Sequence, residues 1–241
     1  MTLKLGVNID HIATLRQARG GNTPDPFEAA EACLALGARY IVLHIRRDRR
    51  HVQESDLEKL TKKYRPHIHL EMANTKEMVD MALKYKPGSV CLVPEYPNEL
   101  TTSGGLKLDD KNTALLRASA ARLKKAGIEV SLFINPAAND VRKAKKAGAD
   151  IVELCTKDYS EAKTERQRLK LLEDISMSSI LAREIGLRVH SGHGLTVDTA
   201  GAVAAVSGME CLNIGFSIIA RAVLAGLPQA VLEMKRAINA R

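Results

Sequence analysis

Apolar residues in this chain come in two rhythms. Short continuous runs rich in Val, Ile and Leu alternate with longer stretches of helical period, and the alternation occurs eight times. The runs are Leu3–Ile9, Tyr40–Ile45, Ile68–Met72, Ser89–Val93, Glu129–Ile134, Ile151–Cys155, Leu187–His190 and Cys211–Ile214. Continuous rather than alternating apolarity indicates strands covered on both faces, the signature of a parallel sheet. Helical stretches fill the intervals: Pro26–Leu36, Glu54–Tyr64, Thr75–Lys84, Asp110–Lys125, Asn139–Lys146, Ser160–Glu184, Val197–Val206 and Pro228–Asn239. Several strands follow the same punctuation, as in Leu36-Gly37-Ala38, Ala126-Gly127, Ala147-Gly148 and Ile185-Gly186, where a glycine ends one helix and turns the chain. Eight strand–helix units with no linker or low-complexity tract predict a single α/β domain, a (β/α)8 TIM barrel over residues 1–241, rather than an open doubly wound sheet. The irregular stretch Pro94–Lys107 is expected to be a functional loop above that barrel.

Composition narrows the function. The formal charge of +8 suits an anionic partner, yet there is no Trp, aromatics make up 3% of the chain, and no basic and aromatic residues interleave as a base-stacking platform requires. Anionic metabolites explain the charge as well. Four separated cysteines without a CxxC pair indicate neither a disulfide framework nor a zinc knuckle. With no signal-peptide pattern and no apolar run near the ~20 residues that span a bilayer, the expectation is a soluble, cytoplasmic protein without membrane contact.

Chemistry concentrates where the predicted strands end, which is where barrels carry their active sites. The second strand runs straight into His44-Ile45-Arg46-Arg47-Asp48-Arg49-Arg50-His51. Packing gains nothing from two imidazoles and four guanidiniums, whereas Arg binds phosphate as a fork and His moves protons near neutral pH. Asn8, Asp10, His11, Arg16 and Arg19 follow the first strand, Glu71 ends the third, and Glu153 lies on the sixth. Gly192-His193-Gly194 and Asn213-Ile214-Gly215-Phe216-Ser217 are both expected to lead into helices, so that backbone N–H groups there can face a second phosphate. Each residue has a plainer alternative: Arg47, Arg49 and Arg50 as a solvated loop, Glu71 as a paired barrel carboxylate, His67, His69 and His190 as packing. No HExxH spacing supports a metal, and none is expected. Two anion sites imply two phosphorylated substrates or one bisphosphate.

The runs Gly6-Val7-Asn8-Ile9-Asp10-His11-Ile12-Ala13-Thr14-Leu15-Arg16, His44 to His51, Leu70-Glu71-Met72-Ala73, Cys91 to Glu95, Thr101 to Leu106, Val130 to Ile134, Ala162-Lys163-Thr164, Gly192 to Leu195 and Leu212 to Gly215 closely resemble the pyridoxine 5′-phosphate synthase family from end to end. The resemblance implies a homo-oligomeric, commonly octameric, barrel without metal or organic cofactor. It would join 1-deoxy-D-xylulose 5-phosphate to 3-amino-2-oxopropyl phosphate. By position His44 and Glu71 match the family's proton acceptors and His193 its proton donor. Asn8, Arg19, Gly194, Gly215 and Phe216 match contacts to the aminoketone phosphate; Asp10, His11, Arg46, His51 and Thr101 match contacts to the deoxyxylulose phosphate. Arg47, Asn135-Pro136 and Phe216 depart from what many members carry, and none of these is a proton carrier. Two rivals remain: a Schiff-base aldolase using Lys4 or Lys157, and an RNA-binding module using Arg46 to Arg50.

Overall fold

The computed structural model describes residues 3–95 and 104–240. Its elements in chain order are β1 (Lys4–Asn8), α1 (Asp10–Arg19), α2 (Pro26–Ala35), β2 (Tyr40–His44), α3 (Glu54–Tyr64), β3 (Ile68–Met72), α4 (Lys76–Tyr85), β4 (Ser89–Leu92), α5 (Asp110–Lys125), β5 (Glu129–Ile134), α6 (Ala138–Lys146), β6 (Ile151–Cys155), α7 (Lys157–Ser160), α8 (Glu165–Glu184), β7 (Arg188–Gly192), α9 (Ala200–Ala204), β8 (Met209–Ile214), α10 (Phe216–Ala225) and α11 (Leu227–Asn239). A short 3-10 turn, Arg65–His67, precedes β3. All eight strands are parallel, each pairs with its sequence neighbour, and β1 closes on β8 with Leu5 opposite Leu212. The predicted (β/α)8 barrel is the fold.

Local signals set the element ends. Asp25 caps α2 by accepting from the Phe27 N–H, with Pro26 in the first turn; Thr75 caps α4 and Asp109 caps α5 in the same way. Gly37, Gly127, Gly148 and Gly186 all have φ between 74° and 83°, the left-handed region that side chains avoid. Between these ends the strands and the inward helix faces form one apolar cluster that includes Ile41, Leu43, Leu70, Leu92 and Val152. Each such side chain, fully buried, contributes roughly 1.5–3 kcal/mol.

Three expectations need correction. Asp10–Arg19 is a helix where strand-end residues were expected, whereas Phe216–Ala225 is the helix expected after Gly215. Ser160–Glu184 is not one helix: α7 ends at Ser160, and Thr164 starts α8 by accepting from the Gln167 N–H. Gly192-His193-Gly194 does not lead directly into a helix, since α9 begins only at Ala200.

Ion pairs gather at the strand starts, the floor of the barrel. Lys4 Nζ lies 2.7 Å from Glu210, and Arg188 reaches Glu210 at 2.8 Å and Glu129 at 2.6 Å. The strand ends are open, so sequence position along each strand decides which polar side chains face the mouth. Among the described residues no helix is long and apolar enough to cross a membrane.

Candidate active site

A cavity of about 730 Å³ sits at the strand ends. Eleven of the thirteen residues expected there line it: Asn8, Asp10, His11, His44, Arg46, His51, Glu71, His193, Gly194, Gly215 and Phe216. Arg19 does not; it is exposed at the end of α1, because that helix carries it away from the mouth. Thr101 lies outside the described residues, as does much of the expected loop.

The β2 and β3 ends hold the densest chemistry. Their register sets His44 opposite Glu71, with His44 Nδ1 3.8 Å from Glu71 Oε2. Burial holds the His44 imidazole well below its ordinary value, and Arg46 and His51 add to this, so the ring is uncharged near pH 7. Its Nε2 is buried without a hydrogen-bond partner. Glu71 moves the other way, because burial and the nearby carboxylates Glu153 and Asp10 raise it well above the carboxylate range. Asp10, at the start of α1, accepts from the His44 backbone N–H at 2.8 Å and from Asn8 Nδ2 at 2.9 Å. Burial nevertheless raises its carboxyl to about 7.

Arg46 is 3% exposed, and among the described residues no carboxylate pairs with it. His51 faces the same space; its Nδ1 accepts the Val52 N–H at 2.8 Å, which leaves the ring proton on Nε2. Burial and Arg46 push it down to about 4, so it is a neutral donor. The neighbouring arginines divide. Arg49 is committed to Glu54 and Glu77, Arg50 to Asp48, and Arg47 is exposed, with its backbone N–H donated to Glu95. Arg16, another strand-end candidate, is held by Asp56 in a bidentate pair at 2.6 and 2.8 Å and serves the structure.

In an eight-strand barrel β7 lies opposite β3, so His193 faces His44 and Glu71 from across the mouth. His193 has φ 83°, an arrangement that costs a non-glycine residue about 1–3 kcal/mol and is found at functional sites. The Thr156 hydroxyl holds that turn, 2.7 Å from both the Gly192 and His193 carbonyls. Burial and Lys157 lower the His193 imidazole. Beside it, Gly215 leads into α10, whose first N–H groups lack partners within the helix. A Cβ on Gly215 would lie 2.9 Å from Asn8 Cβ, so only glycine lets β8 and β1 approach this closely. Phe216, 71% exposed, packs edge-on against His11 with ring centres 5.3 Å apart.

The family described as pyridoxal phosphate biosynthesis protein PdxJ matches residues 5–240. The chain belongs to that family. It is 60% identical over 241 residues to a pyridoxine 5′-phosphate synthase of Elusimicrobium minutum, covering all of both chains. Enzymes of the same name from Coxiella burnetii and a Synechococcus strain are 47% and 50% identical, with 98% of this chain covered and 98% and 99% of theirs. Among solved structures, KGPDC from Streptococcus mutans aligns at TM-score 0.62 with 14% identity, over 100% of this chain and 99% of that one, and shares the barrel fold alone.

Within this PdxJ-family site, Asp10, His44 and Glu71 bring donor atoms within 4.8 Å of one another, a set that could take a cation, but the Arg46 charge beside them opposes one. Two buried residues are more involved than their sequence context indicated. Glu153, 2% exposed, reaches the cavity from β6, and Asn213 fixes it by donating from Nδ2 at 2.7 Å. A polar residue at a strand end just before Gly215 was the available signal for Asn213. Thr14 and Ser217 also line the cavity, Thr14 from α1, which the apolar pattern did not reveal, and Ser217 from the first turn of α10. Lys4 sits on the floor with Glu210, and neither it nor Lys157 lines the cavity.

Proposed function

We propose that the chain is a pyridoxine 5′-phosphate synthase that condenses 1-deoxy-D-xylulose 5-phosphate with 3-amino-2-oxopropyl phosphate and releases phosphate and water. One observation carries this reading: a single cavity sets a neutral His44 beside Glu71 on one wall and His193 on the opposite wall, and is lined also by Arg46 and His51 and by the start of α10. Arg46 and His51 make the first cradle, for the deoxyxylulose phosphate. The α10 N-terminus with Gly215, Asn8 and the Gly194 turn makes the second, for the aminoketone phosphate.

The amine must lose protons while the ketone oxygen gains them and leaves as water, so a base and an acid have to approach the same carbon from different directions. His44 accepts through Nε2, the buried nitrogen without a partner. Glu71 becomes an acceptor once its proton has left and then shuttles with His44 Nδ1 across 3.8 Å. His193 is the donor. Bound phosphate brings negative charge into the cavity, which raises an imidazole that burial and Lys157 otherwise lower. Glu153 offsets positive charge that develops on the imine.

This chemistry needs no metal or organic cofactor, and the barrel acts in the cytoplasm as a single-domain subunit of a homo-oligomer, an octamer by family resemblance. Chelator-treated protein incubated with both phosphates should develop pyridoxine 5′-phosphate absorbance together with released phosphate. Absence of product, or a lysine adduct trapped by borohydride, would overturn the reading.

A further inference from the structure

Below the cavity, inside the barrel, three strands bring together a histidine, a cysteine and a carboxylate. His69 of β3 and Cys91 of β4 are fully buried and Glu153 of β6 is 2% exposed, and one donor atom from each lies within 4.8 Å of the others. His69 Nε2 has no hydrogen-bond partner and points at Glu153 Oε2, 3.6 Å away. The opposite ring nitrogen, Nδ1, is held by Ser89 Oγ at 2.6 Å. When Nδ1–H donates to that hydroxyl, the Nε2 lone pair faces the other two donors, which is the tautomer and orientation a metal ligand needs.

We propose that His69 Nε2, the Cys91 sulfur and the Glu153 carboxylate form a binding site for a soft divalent cation, zinc foremost, in the barrel interior. Thiolate, imidazole and carboxylate are the donor types zinc takes, at about 2.0–2.3 Å, which places neighbouring donors roughly 3.3–3.8 Å apart in a tetrahedron. The His69–Glu153 pair already has that spacing. Charge also closes: binding releases the Cys91 thiol proton to solvent, and the resulting thiolate with the Glu153 carboxylate neutralises the two positive charges, so no net charge is buried. The charge that bears most on Cys91 is the Glu153 carboxylate, a field that favours a cation. The ion enters through the mouth, because Glu153 also lines the cavity. If Glu153 serves the proposed synthase reaction, an ion that holds it lowers turnover, and a chelator restores it. Binding itself does not depend on that reading.

Metal-free full-length protein titrated with cadmium should develop an ultraviolet thiolate-to-cadmium charge-transfer band that saturates at one ion and one released proton per chain. Zinc should compete for the same site. Cys91→Ser should abolish the band, while Cys33→Ser, Cys155→Ser and Cys211→Ser keep it. His69→Gln should weaken binding at least tenfold, and Ser89→Ala, which removes only the orienting hydroxyl, by roughly 10- to 100-fold. Unfolding curves show which variants remain native. Because Cys91→Ser could fail to fold, X-ray absorption at the zinc edge on the unaltered protein supplies a second measurement, with one sulfur at about 2.3 Å expected among nitrogen and oxygen ligands. No band, a band that survives Cys91→Ser, or a zinc shell with no sulfur or with several, overturns the proposal.

Discussion

His44 and Glu71 are direct partners in the β2–β3 register, and their side chains leave those strands on the same side with Nδ1 and Oε2 3.8 Å apart. That separation is too long for a hydrogen bond yet short enough for a small adjustment to make one. The two groups also titrate in opposite senses. Burial empties the imidazole of its second proton and retains the carboxyl proton, so the resting pair is a neutral base beside a neutral acid. A proton can pass between them without creating a lone buried charge elsewhere.

His44→Ala should lower turnover by roughly the 10²–10⁴ of a lost general base, with both phosphates still bound. Because the pair acts as one unit, His44→Ala combined with Glu71→Gln should fall little below the worse single variant. Steady-state kcat and phosphate release for the three variants test this; multiplicative losses would separate the two roles.

Arg46→Lys should weaken deoxyxylulose phosphate binding tenfold or more and leave the aminoketone phosphate nearly unaffected, since lysine keeps the charge but not the bidentate fork. Calorimetric titration with each ligand alone reads this directly. Equal losses for the two ligands would remove the map of one cradle at each side.

Much of the fold was legible in the sequence. Strands covered on both faces read as unbroken apolar runs, and the glycines before β2, β5, β6 and β7 mark positive-φ helix ends. Helix α1 was hidden because its first turn carries the site: Asp10 and His11 read as strand-end chemistry rather than as a helix start, whereas the start of α10 after Gly215 was legible. Gly20, with φ 66° at the end of α1, and Gly226, with φ 83° after α10, were the stop signals available. The site was legible as residue types at strand ends. Orientation was not, which is why Arg16 and Arg46 look alike in sequence although one is paired with Asp56 and the other faces the cavity.

Gly215→Val should abolish aminoketone phosphate binding while the protein stays folded. Gly215 has φ −123°, so the new side chain meets no left-handed strain; its Cβ instead meets Asn8 at 2.9 Å. Displacing Asn8 breaks its two hydrogen bonds with Asp10 and pushes methyls toward the first N–H groups of α10. The clash and the two lost hydrogen bonds should lower the melting temperature, yet circular dichroism at the assay temperature should show a folded barrel while calorimetry shows the loss. A folded variant with unchanged affinity would move that phosphate to another part of the cavity.

Asp10 gives stability a pH dependence of definite sign. Burial raises its carboxyl from 3.8 to about 7, and with 8% exposure solvent screens little of this. Between those pH values the folded chain holds a proton that the unfolded chain has released. The associated stability is therefore fully present below 3.8 and is lost as pH rises through about 7. Asp10→Asn removes that dependence, because an amide has no proton to lose, and its Oδ1 can still accept from the His44 N–H. Relative to the unaltered protein, the variant should gain on the order of 4 kcal/mol between pH 4 and pH 8, from about three pKa units at about 1.36 kcal/mol each. The lowered histidines act in the opposite direction, but they are common to both proteins and cancel in the difference. Urea unfolding of both proteins at the two pH values measures it. A stability difference that does not change with pH would mean that Asp10 is ionised in the folded barrel, and that the Asn8 and His44 hydrogen bonds with Arg46 outweigh its burial.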